Sequence, residues 1–559
     1  MDLHEGEIEI RKRLDVPVES IPYYNGPYLP NRYLQFFCDE IEFLPVGYML
    51  GDQVWVSIIT GEPGYIQPMA QNILVMTPDN IASDNPLYQA MMSDMNKIPM
   101  AAVGVIHSNR RRNKLYGYTK QGARKLVDNK LAFCFFVSDM LGNCPKYITR
   151  RNVTLALREP KIISRSGSIL HDDSVRLITS ADVFYIGSIF KDEMDVNSRG
   201  GKPGFVRVSK DCKTIIYPEY SGNRLYQSLG NIQGDGRVGL CFPDFETGDA
   251  VQVTGTAKIL IGEEATRIMP KAKIIVTVSV NTCIYIKDGL GLTAKTLELS
   301  PYDPPVYSLA EEESEKKGED AISADIMAIT TEKLTPNFTR TTFESSSPLT
   351  WKPGQYAVFD FSKDLNMGYR HMNDSDPTSL NDDYIRTFTI ASATKFQLVT
   401  KTKGPVTTSL RLMPGIEGAV TAVGGEFIVP KEGEIGFVAG GIGITPLLAS
   451  LPAANVTLFW SLNKDDVDIL KYYDLSGLKD CHLFITGKAG ADTSRETDAT
   501  NRLPERVHFH YRRFEKADFR DFGHLTSWYV CASPQVKRMV GDIIEEVHKK
   551  QIVSEEFNY

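Results

Sequence analysis

The chain is 559 residues long, with 62 Lys and Arg against 70 Asp and Glu and a formal net charge of −8. That length is more than one hydrophobic core can hold, so about two to four domains are expected. The acidic balance argues against a nucleic-acid binder, which carries a basic face. No run approaches the roughly eighteen apolar residues of a membrane span; even Ile274-Ile275-Val276-Thr277-Val278-Ser279-Val280 is short and alternates like a strand. The start, Met1-Asp2-Leu3-His4-Glu5-Gly6-Glu7, has neither the basic nor the apolar region of a secretion signal. A cytoplasmic protein without a membrane span is expected. The eight cysteines form no C-x-x-C pair and no plant-type iron–sulfur spacing. Buried thiols are expected of several, and no metal.

Residues 1–30 carry Pro17, Pro22, Pro27 and Pro30 and read as an extended N-terminal arm. Residues 31–304 read as a β domain. Leu34-Gln35-Phe36-Phe37 looks like a helix end, and Gly47–Leu50 and Val54–Ile59 look like strands joined at Gly51-Asp52. Further short apolar runs follow at 100–106, 131–137, 183–188, 238–242 and 250–257. Short strands with frequent glycine turns suggest an antiparallel barrel.

Three stretches in this region carry more than a strand pattern: Trp55-x-Ser57-x-x-x-Gly61-x-Pro63-Gly64-Tyr65, Arg199-Gly200-Gly201-Lys202-Pro203-Gly204-Phe205-Val206-Arg207-Val208 and Leu229-Gly230-Asn231-Ile232. They resemble the pyridoxamine 5′-phosphate oxidase-like split-barrel family, in the branch fused to flavin reductases. The resemblance spans roughly residues 30–290. It implies a split barrel that binds FMN and pairs with a second barrel, hence a homodimer. Arg199 and Arg207 flank glycines, so backbone and cations can meet a phosphate there. A plain hairpin with solvated basic residues fits the same residues, and Trp55 and Gly64 suit barrel packing.

Residues 305–322 include Glu311-Glu312-Glu313-Ser314-Glu315-Lys316-Lys317-Gly318-Glu319-Asp320 and read as a charged linker, or the exposed end of a helix. Strands are expected again from Ile326. Between Trp351–Phe361 and the next strand, residues 363–383 form a polar loop long enough to be a lid, an interaction site or a surface insertion.

Tyr384-Ile385-Arg386-Thr387-Phe388-Thr389 follows. On a strand, Arg386 and Phe388 project from one face and Thr389 from the other. Together they offer a cation for phosphate, a ring for stacking and a donor for a ring nitrogen. Gly404, Thr407 and Thr408 stand at a strand-to-helix turn, where N–H groups and hydroxyls suit an anion or a simple cap.

From Gly436 the chain alternates apolar strand and helix, the doubly wound pattern, whose ligands sit at the carboxyl ends of the strands. Phe437-Val438-Ala439 reads as a buried strand. Gly440, Gly441 and Gly443 remove side chains at the turn, and Thr445-Pro446 open a helix. An ordinary glycine turn in an α/β unit fits as well. Later strands end at Trp460-Ser461, Thr486-Gly487 and Cys531-Ala532-Ser533-Pro534.

The Arg-x-aromatic-Thr stretch and the Gly-Gly-x-Gly-Ile-Thr-Pro stretch resemble the ferredoxin–NADP reductase family across residues 323–559. Phe388 stands where that family usually has Tyr. The resemblance implies an FAD-binding β-barrel at 323–431 and an NAD(P)-binding domain at 432–559. FAD is held by Arg386, Thr387, Phe388, Thr389, Gly404, Thr407 and Thr408, and the nicotinamide by Gly440, Gly441, Gly443, Thr445 and Pro446. Thr389, Cys531 and Glu555 are implied beside the reacting rings. The expected architecture is a split β-barrel, an antiparallel FAD barrel and a parallel-sheet nicotinamide domain. The expected function is an NAD(P)H-dependent flavoprotein oxidoreductase that passes electrons onward to a small molecule or a redox protein. The alternative makes the N-terminal barrel a non-catalytic module for dimerisation and docking. Arg495, Arg502, Arg512 and Arg513 are candidates for a 2′-phosphate, which leaves NADH and NADPH both open.

Overall fold

The structure is a computed structural model, described over residues 3–17, 26–128, 130–143, 145–313, 319–487 and 503–554. It divides into two compact units, Met1–Ser314 with Arg370–Asn381, and Glu315–Tyr369 with Asp382–Tyr559.

The first unit contains β1 (Leu44–Leu50), β2 (Gln53–Ile59), β3 (Ile66–Ala70), β4 (Ile73–Met76), β5 (Lys97–Ile106), β6 (Arg111–Lys120), β7 (Arg124–Val127), β8 (Lys130–Asn143) and β9 (Arg150–Leu155). It continues through β10 (Lys161–Ser166), β11 (Val183–Phe190), β12 (Glu193–Gly200), β13 (Arg207–Val208), β14 (Thr214–Pro218), β15 (Arg237–Pro243), β16 (Ala250–Ile261), β17 (Ile274–Lys287) and β18 (Leu292–Glu298). One antiparallel sheet runs β2-β1-β5-β6-β8-β4-β3, with β7 on β8. A second runs β12-β11-β15-β16-β17-β14-β13, with β10 on β17. The β1–β2 hairpin turns at Gly51-Asp52 as expected, because Gly51 adopts the positive φ (+61°) that a side chain would resist. A core containing Tyr48, Trp55 and Val56 from the first sheet also takes in Tyr185, Met194 and Val196 from the second.

The N-terminal arm is not extended throughout. Glu5–Arg13 is a helix capped by His4, whose Nδ1 accepts from the Gly6 N–H at 3.1 Å, while Glu7 accepts from the His4 N–H. It rests on the helix Gln227–Gly234, where Gly6 and Gly230 leave no room for a Cβ between the backbones. Residues 18–25 of the arm lie outside the described residues. The helix end foreseen near Leu34 is Asn31–Gln35, running into a π turn at Phe36–Glu40.

The charged stretch at 305–322 is structured at both ends, with a helical turn at Ala310–Glu313 and a strand beginning at Glu319. Its residues 314–318 lie outside the described residues. Strand pairing uses backbone groups, so a charged sequence does not forbid it.

In the second unit, β19 (Glu319–Lys333), β20 (Phe338–Ser345), β21 (Tyr356–Asp360), β22 (Ile385–Thr389), β23 (Gln397–Lys401) and β24 (Glu417–Gly424) form an antiparallel sheet ordered β22-β21-β24-β19-β20-β23. A parallel sheet follows, made of β25 (Ile435–Gly440), β26 (Val456–Asn463), β27 (Asp480–Thr486), β28 (Val507–His510), β29 (Ser527–Cys531) and β30 (Ile552–Ser554), ordered β28-β27-β26-β25-β29-β30. Phe437 and Ala439 pack on one face of β25 and Val438 on the other. A strand buried on both faces needs such an unbroken apolar run.

The long polar loop is divided. Its residues Arg370–Asn381 belong to the first unit. There the Lys146 ammonium donates to the carbonyls of Ser221 at 2.8 Å and His371 at 2.7 Å, and Asn381 Oδ1 accepts from the Ser221 N–H at 2.9 Å. Cys241, Cys283, Cys481 and Cys531 are buried, whereas Cys38, Cys134 and Cys212 are half-buried. Among the described residues no helix is long and apolar enough to cross a membrane.

In the first unit, Asp303 is 2% exposed, and among the described residues no side chain bonds its carboxylate. Burial, reinforced by Asp182, pushes its pKa up to about 7 from 3.8. The group is therefore protonated in the fold and ionised in the unfolded chain between those values. Its contribution is fully present below pH 3.8 and is lost as the pH rises through about 7. Asp303→Asn should flatten this slope and raise stability at pH 8 by about 1–3 kcal/mol. Denaturant unfolding at pH 5 and pH 8 would check it; an unchanged slope would contradict the assignment.

Candidate functional site

The parallel sheet reverses its strand order between β25 and β29. A crevice opens at the carboxyl ends of such a pair, because the chain leaves the two strands in opposite directions. Ala439 pairs with Cys531 across this point, so the glycine turn and the Cys531 stretch are neighbours. The three glycines do different jobs. A Cβ on Gly440 would stand 2.9 Å from Ala532 Cβ, and one on Gly443 would stand 2.7 Å from the Cys531 carbonyl carbon. These two glycines let the protein pack against itself. Gly441 has φ +54° and open space where its side chain would be. Its carbonyl accepts a 2.8 Å hydrogen bond from Trp460 Nε1, at the end region of β26. Of the three, Gly441 therefore offers bare backbone to the crevice.

The turn continues as a 3-10 segment, Gly441–Ile444, before a short helix, Thr445–Leu448. Ile444 occupies the cap position and no side chain caps the helix, so Thr445 is its first residue rather than its cap. Thr445 and Pro446 are both buried.

The second group lies on and near β22. Phe359 pairs with Arg386 and Tyr356 with Thr389 across β21. Arg386 and Phe388 are half-buried, Thr387 is exposed and Thr389 is buried, which matches the expected two-sided strand. The Phe388 ring lies 5.9 Å from Phe359. The Arg386 guanidinium is engaged by two local carboxylates, Asp382 at 2.5 Å and Asp383 at 3.3 Å. Both aspartates stand within four residues of it, so the ion pairs have a local signal in the sequence. Gly404 begins the helix Gly404–Leu412 at φ +79° with open space around it. Thr407 Oγ accepts from the Lys403 N–H at 2.6 Å and donates to the Lys403 carbonyl at 2.7 Å. It closes the first turn of that helix. Thr408 is half-buried. β23 touches both β22 and the turn at Gly441–Ile444, so the two groups share one compact unit.

Of the remaining candidates, Arg512 pairs with Asp518 at 2.7 Å. Glu555, Arg495 and Arg502 lie outside the described residues.

In the first unit, Arg199 and Arg207 have different partners. Arg207 pairs with Glu312 and bonds the Gly204 carbonyl at 3.3 Å. A Cβ on Gly200 would run into the Tyr147 backbone and one on Gly201 into Phe205, so these glycines serve internal packing. Arg199 bonds Glu219 at 2.9 Å and lines a cavity of about 110 Å³. Its charged walls are Arg112, Lys146, Arg199 and Arg224 against Glu219, four cations to one carboxylate. Tyr147, Tyr220 and Tyr226 add rings, and Asn197 and Gln227 add amides. Arg112 and Lys146 carry no local signal in the sequence, since nothing nearby joins them to Arg199.

No family model matches the chain, and no curated protein matches it. Several solved structures are similar to part of it. The FAD/NAD-binding domain of a nitric oxide dioxygenase from Vibrio cholerae O1 biovar El Tor is 15% identical over 41% of this chain and 97% of that one, with a TM-score of 0.30. A ferredoxin NADP+ reductase from Neisseria gonorrhoeae with bound FAD and NADP is 13% identical over 42% and 99%, with a TM-score of 0.29. A cytochrome P450 reductase from Amycolatopsis is 15% identical over 48% and 79%, with a TM-score of 0.31.

Gly443→Ala should cost about 2–4 kcal/mol, because the new methyl meets a backbone carbonyl in a packed sheet and not a side chain that can move. Thermal unfolding would read this as a lower melting temperature; a melting temperature within a degree of the parent would show that the turn can yield.

Proposed function

We propose that the chain is an NAD(P)H-dependent flavoprotein oxidoreductase that passes electrons onward to a small molecule or a redox protein. The observation that carries this reading is Gly441, which presents bare backbone at the strand-order reversal of a parallel sheet, in the same compact unit as the Arg386–Thr389 strand.

The residues present fit the two cofactors. Gly441 adopts a left-handed φ with open space beside it, so a planar nicotinamide and its pyrophosphate can approach without meeting a side chain. Cys531 stands at the end of the neighbouring strand, next to the turn. Phe388 offers a half-buried ring for stacking, and the buried Thr389 beside it is our candidate for orienting a flavin ring nitrogen. Arg386 is the phosphate-binding candidate. It is held near its place by Asp382 and Asp383, and a phosphate would share or displace those carboxylates. Gly404 supplies an unobstructed helix start, while Thr407 supports it from below. Bound flavin supplies hydride acceptance and onward electron transfer. The chain's own part is to bind, orient and exclude water.

In the first unit, the cavity beside Arg199 is our candidate for the phosphate end of FMN, since about 110 Å³ is room for that group and not for the whole flavin. Its cationic excess suits a phosphate and its tyrosine rings suit a planar heterocycle. FMN there would be the next stop for electrons. Extracted flavin should contain FAD and FMN in a ratio near one; FAD alone would leave the first unit as a non-catalytic docking module.

Two substitutions test the second unit. Arg386→Ala should raise the FAD concentration needed for activity roughly ten- to a hundred-fold, since a bond to a charged group contributes about 1.5–3 kcal/mol. Retention of full FAD at unchanged affinity would contradict this role. Gly441→Val should leave FAD in place and reducible by dithionite, yet slow its reduction by NADH and NADPH. Normal saturation by both nicotinamides would place their site elsewhere.

A further inference from the structure

The two large sheets of the first unit repeat one plan over seven of their eight strands. The order β2-β1-β5-β6-β8-β4-β3 maps position for position onto β12-β11-β15-β16-β17-β14-β13. The sequence repeats with it. Gly61-x-Pro63-Gly64-Tyr65 follows β2 as Gly201-x-Pro203-Gly204-Phe205 follows β12, and Leu87-Tyr88-Gln89 recurs as Leu225-Tyr226-Gln227. Counting from the two hairpin turns, where Leu50 pairs with Gln53 and Phe190 with Glu193, makes Ile59 equivalent to Arg199. Ladder register makes Arg112 equivalent to Ala250 and Lys114 to Gln252.

The repeats meet through equivalent contacts. A Cβ on Gly47 of β1 would run into Val196 of β12, and one on Gly187 of β11 would run into Val56 of β2. Gly47 and Gly187 are equivalent residues, and so are Val56 and Val196. This reciprocity is the signature of a two-fold axis, in which residue i meets j and j meets i. Here both halves belong to one chain.

A two-fold generates two equivalent clefts, and these have diverged. In one, Arg112 of the first repeat donates to Ser198 Oγ of the second at 2.5 Å, beside Arg199, and Lys114 pairs with Asp195. That cleft is the cavity of about 110 Å³. In the other, Ala250 replaces Arg112, Ile58 replaces Ser198 and Ile59 replaces Arg199, all of them buried. Gln252 replaces Lys114 and bonds Ser57 at 3.1 Å.

We propose that the first unit is an internal pseudo-dimer in which one chain does the work of two, and that only the Arg112–Arg199 cleft is a ligand site, taking one phosphate-bearing anion per chain. The Ala250–Ile59 cleft is structural. This rests on the flavin reading only for the identity of the ligand, because the cleft's charge and asymmetry stand without it.

The test uses the purified full-length protein stripped of flavin. Light scattering gives the mass, and calorimetric titration with FMN, and separately with inorganic pyrophosphate, gives stoichiometry. FMN is added after FAD has been restored to the second unit, so that only the cleft is counted. One equivalent is expected in a particle of one chain's mass, 62.5 kDa. Arg112→Gln, which keeps a hydrogen-bond donor for Ser198 while removing the charge, should weaken binding at least tenfold. Arg112→Lys, which keeps the charge, should restore most of it if the variant protein folds, as circular dichroism will report. Pyrophosphate binding that depends on Arg112, without FMN binding, would sink the flavin reading and leave the cleft standing. The proposal is overturned by two equivalents of FMN per chain, by FMN binding confined to a two-chain particle, by binding of neither probe, or by FMN and pyrophosphate binding both indifferent to Arg112→Gln.

Discussion

The second unit depends on one close approach. Gly443 lies so near the Cys531 carbonyl that no side chain fits between them. This contact draws the turn after β25 against the end of β29, where the strand order reverses. It leaves Gly441 facing open space with its carbonyl held by Trp460. A single missing methyl thus positions a backbone surface, and a binding surface made of backbone needs that rigidity more than it needs reactive side chains. The apolar run of β25 serves the same end, since burial on both faces holds the turn in place.

The first unit solves a different problem. Two antiparallel sheets with the same strand order share one core, and each needs the other to bury its inner face. Joining them in one chain removes the concentration dependence of pairing. It also frees the two halves to diverge, which identical subunits cannot do. The result is one cationic cleft and one filled with isoleucine and alanine. Lys114 shows the cost of charge at such a seam. Burial pushes its pKa down to about 8 even though Asp195 sits against it.

Several candidate residues are held by partners, most of them close in sequence. Asp382 and Asp383 hold Arg386, Lys403 holds Thr407, and Gly204 together with Glu312 holds Arg207. Such partners preorganise a side chain and also compete with a ligand for it. Arg199, bonded to Glu219, shows the same tension inside the cleft.

The amino-acid sequence alone determined the features that depend on neighbours in the chain. The β1–β2 hairpin, the two-sided β22 strand and the strand–glycine–helix order at 436–448 were legible because periodicity and turn chemistry are local. The tertiary structure decided what depends on distance. It gave Arg207 and Arg199 different partners and brought Arg112 and Lys146 to one cavity with Arg199. It turned Gly440 and Gly443 inward and Gly441 outward. The duplication stands out in sheet order and register, because the two copies keep few residues in common beyond two short stretches. A fold repeats through hydrogen-bond pairing and burial, and many side chains satisfy both equally well.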